Sequence, residues 1–311
     1  MFRNTHKFIQ HLNKVPEEKL QWLAGIIDSE GTIHITNDTT KGRRPGSRKN
    51  RRTIYISIAT CDAILVPEIC SWFDEIPHTY KSYNGTKVYS TRWYGKCAEA
   101  VLQRIRKYLY TKQPQAELAI LAYNDKQNIK FVKSEISKLN ARGIGAPLDV
   151  FHRKHTFTWP WLAGMIDGDG CISVGLWKKT SQKGRGGQKP SIKPYIAISL
   201  AHRKTVDYIA SCFGVGKAKS GSPGHNGTKR RGTVKVRFMT SKIIEIVPKL
   251  EPHLVLKRDK AKLAYKISIL KSTRTNNGNH TGIDTQISML LDELKGMNGP
   301  KGSKEKTNGV C

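Results

Sequence analysis

The sequence predicts an α+β chain built from two similar halves, each a helix, two strands, a helix, two further strands and closing helices. Three observations carry that expectation. Leu23-Ala24-Gly25-Ile26-Ile27-Asp28-Ser29-Glu30-Gly31 has a near-copy in Leu162-Ala163-Gly164-Met165-Ile166-Asp167-Gly168-Asp169-Gly170, and both run from an apolar helix with two small residues into acid-x-acid-Gly. Each copy is followed by segments in which apolar and polar residues alternate, the pattern of antiparallel strands with one buried and one solvated face. Asn84-Gly85-Thr86 and Asn226-Gly227-Thr228, each followed by Lys, support the duplication.

In the first half a short polar leader precedes a helix over residues 16–28, with Leu20, Leu23 and Ile27 on one stripe. Pro16 and Pro160 suit a first helical turn, where a missing N–H costs nothing, and Gly31 and Gly170 are natural stops at the other end. Thr32 to Thr36 and Thr53 to Thr60 read as strands, with Ile33, Ile35, Ile54, Ile56 and Ile58 inward and Tyr55 and Ser57 outward. Residues 62–74 look helical, and His78 to Tyr83 and Thr86 to Tyr94 form a hairpin around the two-residue turn signal Asn84-Gly85. Helices over about Lys96 to Tyr108 and Pro114 to Tyr123 flank Tyr110-Thr111-Lys112-Gln113. Residues 124–156 are polar and basic, with Gly143, Gly145 and Pro147, and read as connecting chain. The domain boundaries expected are 1–140 for the first half, 141–156 for the linker, 157–275 for the second half and 276–311 for an extension with a basic tail.

The second half repeats the order: a helix from Trp159 to about Gly168, a strand from Cys171 to Trp177 with Ile172, Val174 and Leu176 inward, and a strand from Tyr195 to Leu200. A helix follows from Arg203 to Phe213. In the strand Thr233 to Met239, Val234, Val236 and Phe238 alternate with Lys235, Arg237 and Met239. Ser241 to Leu250 and Arg258 to Leu270 read as helices flanking Lys257, and Ile283 to Leu294 as a short one.

The net charge is +30, from 54 Lys and Arg against 24 Asp and Glu. Such a field favours a polyanion, either nucleic acid or an anionic membrane surface. No run approaches the ~18 consecutive apolar residues of a spanning helix, so nucleic acid is preferred; a solvated basic surface without a specific partner is the bland alternative. The charge is patterned. Lys41 to Arg52 and Lys178 to Lys193 are Gly-containing basic loops without an acid, at matching places in the halves. With the outward residues Tyr55, Ser57, Arg92, Tyr195, Ser199, Lys235 and Arg237 they suit a ribbon that enters the DNA major groove, and the loop residues Arg43, Arg44, Arg48, Arg51, Lys183 and Arg185 join that set. None of the six cysteines forms a C-x-x-C pair, and His152 and His155 have no cysteine partners, so zinc spacing is absent. Scattered thiols and the lack of a secretory h-region in Met1 to Val15 suit an intracellular protein in the compartment holding its target, an organelle interior or the bacterial cytoplasm.

Ala24, Gly25, Ala163 and Gly164 allow the two apolar helices to approach closely, which brings their C-terminal ends and the following acids together. Carboxylates gathered at negative helix ends repel, and a divalent cation removes that cost. One copy alone reads equally well as C-cap and turn residues; two copies favour a metal site.

Here the sequence resembles the LAGLIDADG homing endonucleases in their single-chain, double-motif form, over roughly residues 15–270. The resemblance implies two pseudo-symmetric αββαββα units whose antiparallel sheets form a DNA-binding saddle. It implies a monomer that makes double-strand breaks in a long, weakly palindromic or asymmetric site on double-stranded DNA, by Mg²⁺-dependent phosphodiester hydrolysis, with Mn²⁺ able to substitute. On this pattern Glu30 and Asp169 bind metal, the carbonyls of Ser29 and Gly168 are further ligands, and Asp28 and Asp167 hold local structure. Lys112 and Lys257 fall where the family carries a basic residue near the attacking water. Ser29-Glu30 replaces the usual Ala-Asp, and Gly168 the usual Ala. No intein splice signature frames the chain, which favours an intron-encoded or free-standing protein. The alternative is an intron RNA maturase, or a non-cleaving nucleic-acid-binding regulator with the same fold.

Overall fold

The computed structural model describes residues 4–38, 51–124, 129–140, 155–177, 191–215, 219–220, 233–273 and 281–297. The stretch expected to be a polar leader is a helix, α1 (Thr5–Lys14). Its signals are local: Asn4 Oδ1 accepts from the amides of His6 at 3.0 Å and Lys7 at 3.2 Å, and Phe8 and Leu12, one turn apart, are buried. The first motif helix is α2 (Glu17–Ser29). It passes directly into β1 (Gly31–Asp38), which pairs antiparallel with β2 (Arg51–Thr60). Ile33, Ile35, Ile54, Ile56 and Ile58 are all buried on one face.

The next helix, α3 (Leu65–Ser71), is shorter than the expected span of 62–74. Pro67 sits in its first turn, where no N–H is needed, and Asp62 Oδ1 accepts from Ile64 N and Leu65 N just before it. At the far end Asp74 turns left-handed with φ 56°, and Glu75 N reaches back to Cys70 O at 3.1 Å, a Schellman-type stop. The hairpin of β3 (His78–Lys81) and β4 (Lys87–Tyr94) turns differently from expectation. Gly85 N donates to Ser82 O and Ser82 N to Thr86 O, with Gly85 at φ 76°. This is a three-residue loop with glycine in the left-handed position. The sheet order is β1-β2-β4-β3.

Three helices follow: α4 (Gly95–Ile105), α5 (Gln113–Asn124) and α6 (Ile129–Asn140). The last lies inside the stretch that its polarity marked as connecting chain. It buries Val132 and Ile136, packs on α5 and β1, and Asn140 Nδ2 donates to Ile33 O at 2.9 Å, so it covers the edge of the sheet.

The second motif helix is α7 (Trp159–Asp169). It leads to β5 (Gly170–Trp177), β6 (Ser191–Leu200), α8 (Arg203–Cys212), β7 (Lys219–Ser220) and β8 (Val234–Phe238). The second sheet has the order β5-β6-β8-β7, the same path as the first. Ile172, Val234, Val236 and Phe238 are buried as expected, Val174 only partly. The side chain of Leu176 and the Asn226-Gly227-Thr228 turn lie outside the described residues. By internal contacts the chain divides into one unit of Met1–Gly170, Ile198–Val236 and His253–Leu256, and another of Cys171–Ala197, Arg237–Pro252 and Lys257–Cys311. Within the second, α9 (Thr240–Leu250), α10 (Arg258–Ser272) and α11 (Thr281–Gly296) pack in succession. In both halves a last helix therefore packs on the one before it, α6 on α5 and α11 on α10.

In the first unit Phe8 stacks on Phe73, centroids 4.5 Å apart, and Phe73 meets Trp93 edge-on at 5.5 Å. Glu75 is part-buried beside this cluster. Burial pushes its carboxyl up to about 7 from 4.5, against the opposing pull of the Trp93 indole N–H. The folded state thus holds a proton that the unfolded chain has already released. The stability this proton confers is full below pH 4.5 and is lost as pH rises through about 7. Glu75→Gln is expected to raise the melting temperature at pH 8 by roughly a few degrees and leave it unchanged at pH 4. An equal shift at both pH values would show that ionisation of Glu75 is not the cause.

Candidate active site

Two helices meet at glycine. A Cβ added to Gly25 would collide with Trp161 O and stand 2.8 Å from Met165 N; one added to Gly164 would collide with Trp22 O and stand 3.0 Å from Ile26 N. Backbone therefore touches backbone along α2 and α7, and Ala24, Gly25, Ala163 and Gly164 are all buried. The glycines beyond the acids act by space rather than by a left-handed turn. Gly170 has φ −77°, while a Cβ at Gly31 would lie 2.7 Å from Ile27 Cα and one at Gly170 2.6 Å from Ile166 Cα. Each strand starts pressed against the last turn of its helix.

The first acids look inward, with a reciprocity the sequence did not disclose. Asp28 is 2% exposed and accepts from Tyr110 N at 2.7 Å, Lys112 N at 2.8 Å and the indole of Trp161 at 3.0 Å. Asp167, also 2% exposed, accepts from Val255 N at 2.8 Å, Leu256 N at 3.2 Å and the indole of Trp22 at 3.0 Å. Each carboxylate ties its own helix to the tryptophan of the other and to the loop that carries a lysine. Buried charge is tolerable here because every donor is aimed at it. Trp22 and Trp161 were missed as functional residues, although the repeat extends to them as Trp-Leu-Ala-Gly in both copies.

The second acids face outward: Glu30 is part-buried and Asp169 exposed. Gly168 lies against the other motif, since a Cβ there would meet the Ser29 hydroxyl and come within 3.2 Å of Glu30 Cγ. Lys112 closes the group. Its Nζ donates to Ile27 O at 2.6 Å, Asp28 O at 2.8 Å and Ser29 O at 3.5 Å, which places a cation on the negative end of α2. Burial lowers the pKa of this ammonium, while Asp28, Asp169 and Glu30 pull it up. Lys257 sits at the N-terminus of α10, where its carbonyl accepts from Ala261 N at 2.9 Å; the amide before it, Leu256 N, is one of the donors to Asp167.

The oxygen groups at these helix ends that could hold a divalent cation are the carboxylates of Glu30 and Asp169 and the main-chain carbonyls of Ser29 and Gly168. All are hard oxygens, and a group of two carboxylates that leaves room for water fits Mg²⁺. Among the described residues no set of three or more His, Cys, Asp or Glu converges. The described cysteines are free thiols.

On the outer face of the first sheet the pairing sets Ser57 opposite Arg92 and Tyr55 opposite Tyr94. His34, Tyr55 and Tyr94 form a row across three strands, with ring centroids 4.3 and 5.0 Å apart; His34 and Tyr94 were not singled out from the sequence. In the second unit the Arg237 guanidinium lies 5.4 Å above the Tyr195 ring. Ser199 and Lys235 are part-exposed, Lys235 opposite Lys219. Arg43, Arg44, Arg48, Lys183 and Arg185 lie outside the described residues, as does the side chain of Arg51, whose backbone opens β2.

No protein-family model matches the chain, and no curated protein does. Solved structures do. The meganuclease I-SmaMI, bound to uncleavable DNA, aligns with TM-score 0.62 at 18% identity over 91% of this chain and 99% of that one. The LAGLIDADG homing endonuclease I-GzeII, in complex with its DNA target, gives 0.58 at 17% identity over 88% and 97%. I-LtrWI, of the same family and bound to target DNA, gives 0.59 at 15% over 89% and 98%. With the twin motif helices, the repeated strand order and the paired acids already described, these alignments establish that the chain has the fold of the LAGLIDADG homing endonucleases, in the single-chain form that carries both motifs.

Proposed function

We propose that this protein is a site-specific DNA endonuclease of the intron-homing kind, acting as a monomer on a long double-stranded site and breaking both strands by Mg²⁺-dependent hydrolysis. The observation that carries the reading is the convergence of Glu30, Asp169 and Lys112 at the helix ends that the Gly25–Gly164 contact brings together. The net charge of +30 and the polar outer sheet face supply a surface for phosphate and base edges. The structurally similar proteins are complexes with DNA, one of them formed in the presence of calcium ions.

Glu30 and Asp169, with the carbonyls of Ser29 and Gly168, would hold the metal. When bound, it supplies a Lewis acid for the phosphoryl oxygen and lowers the pKa of a coordinated water. The chain's own residues do the rest. Asp28 and Asp167 hold the two lysine-bearing loops against the motif helices. The Lys112 ammonium sets positive charge beside the acids, where charge grows on a phosphate under attack, and Lys257 is assigned the same task in its half. Tyr55, Ser57, Arg92, Tyr195, Ser199, Lys235 and Arg237, with the basic loops, bind and orient the duplex. Domain boundaries at 1–140, 141–156, 157–275 and 276–311 complete the proposal.

The test uses the DNA flanking the reading frame, rejoined as its intronless allele. With Mg²⁺ or Mn²⁺ a double-strand break is expected; with Ca²⁺, which holds its ligands more loosely, binding without appreciable cutting. Tight binding of this DNA with no cleavage in any metal would instead indicate a non-cleaving binding protein.

A further inference from the structure

The loop that carries Lys112 is held from three sides, and only part of that hold belongs to the motif acids. Tyr110 N and Lys112 N both donate to Asp28. Between them the Thr111 hydroxyl meets that of Thr205 on α8 at 2.8 Å, and Thr205, fully buried, is in turn 2.7 Å from His202 Nδ1. The Tyr110 ring stacks on Tyr208, one turn further along α8, with centroids 4.3 Å apart and planes within 12°. His155 closes the cluster. Its Nε2 lies 3.0 Å from Tyr108 O and its Nδ1 3.0 Å from the Tyr208 hydroxyl. A carbonyl only accepts, so Nε2 carries the proton and Nδ1 accepts from Tyr208 O–H. The ring is thereby assigned as one neutral tautomer with both nitrogens used, and burial, which lowers its pKa, favours that same state. His155 also packs against Trp161, 4.9 Å between centroids, whose indole donates to the same oxygen of Asp28 as Tyr110 N.

The corresponding loop of the second half has Val255-Leu256 where the first has Tyr110-Thr111. Neither a ring nor a hydroxyl stands there, so the side-chain clamp has no counterpart in that segment. The amides of Val255 and Leu256 go to Asp167.

We propose that His155 and Tyr208 are positioning residues for Lys112, forming a one-sided clamp that fixes the 108–112 loop and so governs the cleavage of one DNA strand more than the other. The inference rests on the endonuclease reading above and extends it. The Lys112 ammonium reaches three carbonyls of α2 only from this loop, and small displacements of a reacting group carry large rate penalties. Loosening the clamp therefore slows the cut that Lys112 serves. It leaves DNA binding unchanged, because none of these rings lies on the outer sheet face.

Tyr208→Phe removes the O–H donor and keeps the stacked ring, so the fold is retained. Strand-labelled single-turnover cleavage of the intronless allele in Mg²⁺ is compared for wild type, Tyr208→Phe and Lys112→Met. Tyr208→Phe is expected to slow one strand about tenfold or more, the same strand that Lys112→Met slows, with nicked DNA accumulating and the affinity unchanged. Hydrogen exchange of the free protein provides the second readout: peptides over 106–113 should exchange faster in Tyr208→Phe, while those over 159–167 should not. Equal slowing of both strands, slowing of the strand opposite to that of Lys112→Met, or unchanged exchange over 106–113 overturns the clamp. Failure of the wild type to cut at all overturns the endonuclease reading instead, and the exchange measurement then decides the clamp by itself.

Discussion

Glu30→Gln and Asp169→Asn should each reduce single-turnover cleavage at least a hundredfold, about 3 kcal/mol of barrier, while leaving DNA affinity nearly unchanged. Each substitution keeps the shape of the side chain and removes one negative charge, so it tests charge rather than packing. Asp28 and Asp167 make the bonds that hold the motif helices and loops, whereas Glu30 is part-buried and Asp169 exposed. Loss of either outer acid leaves those bonds in place but removes one of the charges that favour the buried Lys112 ammonium, so a modest fall in melting temperature is expected alongside the far larger loss of cleavage. Affinity should hold because the duplex is bound mainly through many phosphate contacts. Cleavage by the double variant at the wild-type rate would remove the metal site from this location.

Gly25→Ala and Gly164→Ala should each destabilise the protein by about 3 kcal/mol or more, read as a shift of the denaturant midpoint. The sign is the informative part. Helix propensity alone favours alanine over an interior glycine by about 1 kcal/mol, so an uncrowded site would become more stable. Here the added methyl meets main-chain atoms of the facing helix, Trp161 O and Met165 N in one case and Trp22 O and Ile26 N in the other. Backbone cannot rotate aside as a side chain can, so the helices must separate. Separation would also stretch the bonds from Trp22 to Asp167 and from Trp161 to Asp28, so the loss exceeds that of ordinary overpacking. A midpoint at or above wild type would show that the two helices do not meet at these glycines.

Local pattern accounts for the elements that are legible in the sequence. The alternation of Ile33, Ile35, Ile54, Ile56 and Ile58 records burial on one sheet face, and the element order of the first half recurs in the second with the same strand path. Two helices, α1 and α6, are hidden in the sequence for one reason: overall polarity outweighs a short apolar stripe. In α1 only Phe8 and Leu12 are buried, and among the described side chains of α6 only Val132 and Ile136, so what is described of each helix shows the solvent mostly polar and charged residues. The end of α3 was misplaced because Asp74 adopts a left-handed conformation usually left to glycine or asparagine.

By itself the sequence determined the duplication, the two apolar helices with their small residues, the position of the four acids, and the strong positive charge. All of these are written in residues adjacent to one another or repeated at matching places. Tertiary structure alone decided which groups hold each inward acid, because those donors are far away in the chain: Asp28 meets the indole of Trp161 from a distance of 133 residues. It also decided that the Lys112 ammonium rests on the last carbonyls of α2, and that His155 is hydrogen-bonded through both ring nitrogens, to Tyr208 and to the Tyr108 carbonyl, rather than one of a loose pair of histidines. Periodicity reports how one element meets its surroundings. Hydrogen bonds between separate elements leave no period, and they become legible only when the chain has brought their partners together.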